Sequence, residues 1–456
     1  MKKYGFDMPK QLRNTFLRDL EDNWYLPLLA KHKGLKEGSV KRSNFGQYDM
    51  AVNYLTSVLE EAAAVNKVAV YNIDHMAQVR FWGKDSAALL DRTLAGNMSQ
   101  MKIGSCKYTL LLNEQGGVED DMILMRASEE EFIMVINAGH DITDTLEDGT
   151  ELVADIDQIM RHKRDDEEVF AEDISDDLVK VDIQGPLSYR VIKEVFGVEV
   201  LKNRNKPEKN MSFFTFNDIT KDGHRYFFSR TGYTNRWGWE CYLPKAKAAD
   251  HFKAIVTKAL ELGGLLVGLG GRDENRTSAG AVGLPLMGSE YDPHHTPINA
   301  PLFAAAVDME KEDFVGKEAL ARELATDPQK GLMIFVSEGI ATGRKVYLDG
   351  KRLGTVTSSI NSPNLSLEQR LALNSSRKNV NDPEGSAAIG LVWLNYIPEL
   401  TEGLAEDDEI GPRITVELYR EDAEGNPSGK PLKGYLSANG INPATAPRAL
   451  KNIENL

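Results

Sequence analysis

The chain has 456 residues, 41% of them hydrophobic and 27% charged, the composition of a folded protein of about three domains at roughly 150 residues each, and that apolar share excludes disorder for its bulk. Its 54 basic and 69 acidic residues leave a net charge of -15, which repels a polyphosphate backbone and speaks against nucleic-acid binding. With no run of about 18 apolar residues to span a membrane and no signal-peptide stretch at Met1-Lys2-Lys3-Tyr4-Gly5, a cytoplasmic protein without a membrane partner is expected.

Residues 11–32 mix apolar and charged side chains at helical spacing, and Pro27, in Trp24-Tyr25-Leu26-Pro27, is expected to end or kink that helix. Residues 31–45 read as a basic loop. Val52, Leu55, Leu59, Ala62 and Ala63 keep one face apolar and predict a helix over 49–66. Strand character follows at 67–82 and helical spacing at 85–94. The apolar run 107–112, the turn Asn113-Glu114-Gln115-Gly116-Gly117 and the runs 118–125 and 132–137 predict an antiparallel meander. Residues 178–183, Gln184-Gly185-Pro186 and a helix over 187–196 repeat the strand–glycine–helix rhythm of 80–94, where Gly83 holds the junction, so two related halves are expected. A hairpin from 213–216 and 226–230 follows, then a strand at 239–243. An amphipathic helix over 245–262 is stopped by Gly263-Gly264, and a further helix is predicted over 273–282. Residues 283–301 form a long loop carrying Pro285, Pro293, Pro297 and Pro301, of a length that is often functional. From Leu332 onward short β runs between glycine turns predict a small barrel with a polar insertion at 361–386.

The sequence lacks a GxxxxGK[ST] phosphate loop, an HExxH helix, a CxxC pair and a GxSxG elbow. Gly268-Leu269-Gly270-Gly271 fails as a dinucleotide fingerprint because Asp273 stands where the next glycine belongs. Cys106 and Cys241 are too few for a disulfide framework or a four-thiolate zinc site and read as small buried residues. His294-His295 reads as a solvent-exposed loop pair, and no metal is expected.

A series of segments, in order, resembles the tetrahydrofolate-dependent aminomethyltransferase family, which includes the glycine-cleavage T-protein and folate-dependent demethylases. They are Val70-Tyr71-Asn72-Ile73-Asp74-His75-Met76, Tyr108 through Asn113 with Gly116-Gly117-Val118-Glu119-Asp120-Asp121, Val135-Ile136-Asn137-Ala138, Gln184-Gly185-Pro186, Arg230-Thr231-Gly232-Tyr233-Thr234 with Gly238-Trp239-Glu240, Gly268 through Asp273, Phe314-Val315-Gly316-Lys317, and Gly354-Thr355-Val356-Thr357-Ser358. The resemblance implies an α+β, multi-domain folate-binding fold of antiparallel sheets with packed helices plus a C-terminal β-barrel. The expected division is a helical, substrate-side extension at 1–66, a folate-binding core of two halves at 67–330 and a barrel at 331–456.

It also implies site residues. Glu240 resembles the family carboxylate that takes the N–H edge of a reduced pterin, a pairing two adjacent donors make bidentate. Tyr108 and Tyr233 resemble the aromatic residues packed on the folate, Asn137 a polar residue beside it, and Arg272 a basic residue for folate or a substrate carboxylate. Asp120 resembles the catalytic aspartate, placed to stabilise positive charge developing on N5 and to receive its proton, with Asp121 in a structural hydrogen bond. The Tyr-x-Pro spacing at Tyr25 and Pro27 resembles that of aromatic O-demethylases in the family, making Tyr25 a substrate-side candidate. Departures from the T-protein pattern, such as Asn235-Arg236-Trp237 and Arg276-Thr277-Ser278, fall mostly on the substrate side. They favour methyl transfer from a small methylated substrate (a sulfonium, quaternary amine or methoxy-aromatic) to tetrahydrofolate. The alternatives are aminomethyl transfer from a lipoyl carrier protein, and a non-catalytic folate-binding protein.

Overall fold

In the computed structural model, which describes residues 2–3, 6–7, 12–36, 38–145, 151–280, 283–326, 330–382, 385, 387–395 and 413–437, the helix of the amino-terminal segment survives its proline. Residues 18–33 run from a short α turn through a π turn at Glu21–Tyr25 into α1 (Leu26–Lys33). Pro27 falls at the start of α1, directly after the wide turn, where its missing N–H does not end the helical path. Residues expected as loop and helix instead pair as a hairpin, β1 (Lys41–Phe45) with β2 (Tyr48–Asn53). Only the second half of the 49–66 prediction is helical, as α2 (Val58–Ala63), capped by Ser57 Oγ, which accepts the Glu60 N–H at 3.1 Å. Met50 and Ala51 find burial on the two opposite faces of a strand where period-3.6 counting predicts a helix.

The central region builds β3 (Ala69–Asn72), β4 (Ala77–Trp82), α3 (Ser86–Thr93), β5 (Cys106–Leu112), β6 (Val118–Arg126), β7 (Glu131–Ile136), β8 (Phe170–Asp173), β9 (Leu178–Gln184), α4 (Ser188–Phe196), β10 (Phe216–Lys221), β11 (His224–Ser229), β12 (Gly238–Pro244), α5 (Lys245–Glu261), β13 (Leu265–Val267) and α6 (Leu269–Thr277). They form two sheets, ordered β8-β4-β7-β6-β5 and β10-β11-β12-β9-β3-β13. The expected meander is β5, β6 and β7, all antiparallel. α6 begins four residues before the predicted 273, and residues 281–282 lie outside the described residues.

The repeated rhythm has a common physical cause. Gly83 follows β4 with φ 119, Gly185 follows β9 with φ 116, a region that side-chain-bearing residues avoid. A Cβ would lie 2.2 Å from Glu168 O at the first and 2.6 Å from Lys67 O at the second. Both glycines let a strand turn into a helix against a neighbouring backbone.

The largest apolar core lies under the second sheet, where Val70, Val181, Ile183 and Trp239 meet Phe252, Ile255 and Val256 of α5. Leu17, Tyr25, Leu29, Tyr54 and Val65 belong to the same core, so the amino-terminal segment packs into it. After α7 (Lys317–Leu324) come β14 (Lys330–Ser337), β15 (Lys345–Leu348), β16 (Lys351–Asn361), α8 (Leu367–Leu371), β17 (Ala388–Asn395), β18 (Arg413–Glu421) and β19 (Pro427–Ser437). These strands close a barrel in the order β14-β17-β16-β15-β18-β19; residues 396–412 and 438–456 of the expected barrel segment lie outside the described residues.

Buried polar clamps secure the segment that leads to the barrel, the barrel insertion and its contact with the core. Lys311 Nζ donates to the carbonyls of Asp91, Leu94 and Gly96 at 2.6, 2.5 and 2.7 Å, at the carboxyl end of α3, where a cation meets the helix dipole. The described part of the 361–386 insertion winds around buried Arg370, which donates to the carbonyls of Leu365 and Asp382 at 3.3 and 2.9 Å. Asn364 Nδ2 reaches back to Glu274 Oε2 of α6 at 2.8 Å. No helix among the described residues is long and apolar enough to cross a membrane.

Candidate active site

The two sheets, α6 and the loop after it meet around a cavity of about 620 Å³. Tyr108 of β5, Asp121 of β6 and Asn137 beyond β7 line it from the first sheet; Lys180 of β9 and Glu240 of β12 line it from the second. Tyr233 comes from the β11–β12 connection, Arg272 from α6, and Leu284, Pro285, Leu286 and Met287 make a wall from the loop. The site is therefore a seam, with polar groups at both ends and apolar surface between.

At one end Asp121 Oδ2 accepts the Tyr108 hydroxyl at 3.0 Å and Oδ1 accepts Asn137 Nδ2 at 2.7 Å. Burial, reinforced by the negative charge of Asp120, raises the Asp121 carboxyl above the ordinary range. Asp120 itself does not line the cavity. It is fully buried beneath the strand, accepting the Asn137 N–H at 3.0 Å and Nδ2 at 2.8 Å. Its neighbours there are His140, whose Nε2 lies 3.7 Å away, and Asp155, which His140 Nδ1 meets at 3.3 Å. Asp120, His140 and Asp155 bring their ligand-type atoms within 4.8 Å of one another in the interior.

Asp121, and not Asp120, is thus the aspartate that lines the cavity. The cause is strand alternation combined with a bulge: Leu111 pairs with Asp120 but Leu112 pairs with Val118, leaving Glu119 as the extra residue. Sequence pattern does not resolve the parity, because Met122, Ile123, Leu124 and Met125 are apolar on both faces.

At the other end Glu240 Oε2 accepts the Thr231 hydroxyl at 2.6 Å and the Tyr242 hydroxyl at 3.4 Å. Tyr233 donates its hydroxyl to the Pro285 carbonyl, tying the aromatic ring to the loop wall. Arg272 lies over that ring at 5.0 Å. Its sequence neighbour Asp273 instead accepts Arg276 Nε at 2.6 Å, and Arg272 Nε is buried without a hydrogen-bond partner.

Tyr25 lies elsewhere. It is fully buried in the main core, edge-on to Tyr54 at 5.1 Å, and its hydroxyl accepts the Leu266 N–H at 3.1 Å. That bond and packing place it in the core and not on the cavity wall. Lys180 and Asp182, by contrast, went unselected from the sequence. A lysine and an aspartate two apart inside the run Leu178-Val179-Lys180-Val181-Asp182-Ile183 put two charges on one face of a strand, a signal that a polar pocket crosses it. Both cysteines are buried and free, as expected.

Asp182 and Asp74 carry a consequence for stability. Burial raises both carboxyls, Asp74 to about 7, and Glu240 raises Asp182 further. The folded state therefore binds protons that the unfolded chain, with its ordinary value of 3.8, releases. The stabilisation is complete below that value and lost as pH rises through the folded values. The urea midpoint is expected to fall between about pH 5 and pH 8, with Asp182→Asn flattening the profile; a midpoint rising through that window would contradict the assignment.

A family model described as the GCVT N-terminal domain matches residues 32–311. The chain belongs to that family. Every cavity residue named above falls inside the GCVT match, which begins within the amino-terminal segment. An aminomethyltransferase of Thermosipho melanesiensis (strain DSM 12029 / CIP 104789 / BI429) is 32% identical over 353 residues, covering 76% of this chain and 88% of its own length. One of Clostridium botulinum (strain Loch Maree / Type A3) is 30% identical over 335 residues, covering 72% and 84%. The crystal structure of the glycine cleavage system aminomethyltransferase T from Bartonella henselae shares the fold, with a TM-score of 0.68 at 22% identity over 92% of this chain and 99% of that one. The α+β architecture and the barrel expected of this GCVT chain are those observed.

Proposed function

We propose that this chain is a one-carbon transferase that passes a methylene group to tetrahydrofolate from an aminomethyl group carried on a lipoyl protein, with release of ammonia. The observation that carries the reading is that two carboxylates, Glu240 from one sheet and Asp121 from the other, line one cavity. The GCVT membership and the aminomethyltransferase relatives support it.

The residues present fit a reduced pterin. Glu240 is a buried acceptor for adjacent N–H groups, Tyr233 and the Leu284 to Met287 wall supply apolar faces, and Arg272 keeps an unused donor at Nε. When bound, tetrahydrofolate supplies N5, the nitrogen that takes the carbon. Asp121 is the carboxylate that would stabilise the developing positive charge and hold the proton N5 gives up. Tyr108 and Asn137 fix its rotamer through the two hydrogen bonds at 3.0 and 2.7 Å. Water exclusion by the loop wall strengthens both interactions. Methyl transfer from a small methylated donor draws no separate support, since Tyr25, the residue offered for that donor, is packed in the core.

The test is incubation of the purified chain with tetrahydrofolate and either an aminomethyl-loaded lipoyl carrier or a panel of sulfonium, quaternary-amine and methoxy-aromatic donors, with mass spectrometry of the folate product. Methylene-tetrahydrofolate and ammonia from the carrier alone are expected. Methyl-tetrahydrofolate from a small donor would replace the proposal with the demethylase reading. Tight folate binding without any product would make the chain a binder.

A further inference from the structure

Lys180 is 1% exposed, yet its ammonium has no close oxygen partner. Its nearest carboxylate oxygen, Glu240 Oε2, lies 3.6 Å away, and its hydrogen bond among the described residues is to Met76 Sδ at 3.8 Å. The face of Tyr242 lies 5.1 Å below it. A buried ammonium is costly unless paired and hydrogen-bonded, and an ion pair serving structure alone would close to roughly 2.8 Å. Two features keep this one open. Glu240 Oε2 is already taken by Thr231 and Tyr242. Asp182, the other nearby carboxyl, accepts Gln184 Nε2 at 2.6 Å, and burial beside Glu240 favours its neutral form. The Lys180 protons are left facing the cavity that Lys180 lines.

The register fixes this geometry. β9 and β12 pair Lys180 with Tyr242 and Asp182 with Glu240, so Lys180 stands diagonally across from Glu240 on one face of the sheet. The Glu240 carboxylate, an acceptor chiefly through Oε1, and the Lys180 ammonium, a donor, therefore sit side by side. The amide edge of a 4-oxo pterin presents the complement in order: the 2-amino group and N3–H as donors, then the 4-carbonyl oxygen as acceptor.

We propose that Lys180 donates to the 4-carbonyl oxygen of the bound pterin, beside the N–H pair held by Glu240, and so makes the site selective for 4-oxo over 4-amino pterins. This rests on the reading that a reduced pterin binds edge-on to Glu240. A 4-amino group replaces the acceptor with a donor and removes the N3 proton, setting donor against ammonium and ring nitrogen against carboxylate. Sites built to hydrogen-bond a ligand atom reject analogues that lack it, because the buried partner is stranded.

The experiment is calorimetric titration of the full chain with tetrahydrofolate and with its 4-amino analogue, for the wild type, Lys180→Met and Lys180→Gln. The wild type is expected to prefer the 4-oxo ligand by roughly tenfold or more. Lys180→Met is expected to lose about tenfold in tetrahydrofolate affinity with 4-amino binding held or improved. Lys180→Gln, which keeps an N–H donor, retains part of the preference and guards against a folding defect in the methionine variant. An undiminished preference in both variants, or equal losses for both ligands, overturns the proposal. Failure of the folded wild type to bind either ligand overturns the pterin reading itself, a result distinct from a loss of selectivity.

Discussion

Asp121→Asn is expected to lower turnover by roughly 10²–10⁴-fold while leaving tetrahydrofolate affinity within about threefold, because most binding contacts lie at the Glu240 end. Asparagine preserves the size of the side chain and its bonds to Tyr108 and Asn137 in part, but it carries no charge and holds no proton. The matched variant, Asp120→Asn, is expected to keep most of its turnover and to show its effect in thermal stability, since Asp120 touches Asn137, His140 and Asp155 beneath the strand and not the cavity. Steady-state and single-turnover rates for the pair decide it. An inactive, well-folded Asp120→Asn beside an active Asp121→Asn would return the catalytic role to Asp120. The pH dependence carries a sign as well. Burial and the neighbouring Asp120 charge hold Asp121 protonated to higher pH than an ordinary carboxyl, so turnover is expected to climb with pH through that titration and the climb to vanish in Asp121→Asn.

The second large effect is structural. Glu290 is fully buried on the loop after α6. Its Oε2 accepts Arg276 Nη1 at 3.0 Å and the Leu286 N–H at 2.9 Å; its Oε1 accepts Thr357 and Ser358 of β16 at 2.5 and 2.6 Å. One carboxylate thus joins helix, loop and barrel. Glu290→Ala leaves Arg276 paired with Asp273 alone and strips the Thr357 and Ser358 hydroxyls and the Leu286 N–H of their acceptor, and is expected to cost about 3 kcal/mol in urea denaturation. Pro285 and Leu286 sit on the same loop and wall the cavity, so the tetrahydrofolate KM is expected to rise with it. Removing both charges, as Arg276→Met with Glu290→Leu, is expected to recover part of the stability, since the one carboxylate left without a partner, Asp273, is partly exposed to solvent. A loss below about 1 kcal/mol for the single variant would show that the cluster is not holding the loop.

Much of the site was legible because its residues sit in short, spaced motifs. Glu240, Tyr233, Tyr108, Asn137 and Arg272 all converge on the cavity. Which of Asp120 and Asp121 faces the cavity is where legibility ends: a one-residue bulge at Glu119 moves a side chain to the opposite face, and no composition rule marks it when both faces are apolar. Tyr25 failed for a different reason. An aromatic residue beside a proline looks the same in a core and in a pocket, and only tertiary packing separates them. Among the elements, the long periodic helix at 245–261 is plain, whereas β1 and β2 are hidden because β1 is exposed or half-buried throughout and β2 is buried on both faces, so neither carries a clean alternation.

The drawing of the site from two sheets has a thermodynamic consequence. A ligand that touches both holds them together, and unfolding must first release it, so mass action raises the melting point with ligand concentration, by about 2.7 kcal/mol of added stability at a hundredfold excess over Kd. Fluorescence melting curves across a library of candidate donors, run at saturating tetrahydrofolate, then become a screen that needs no turnover.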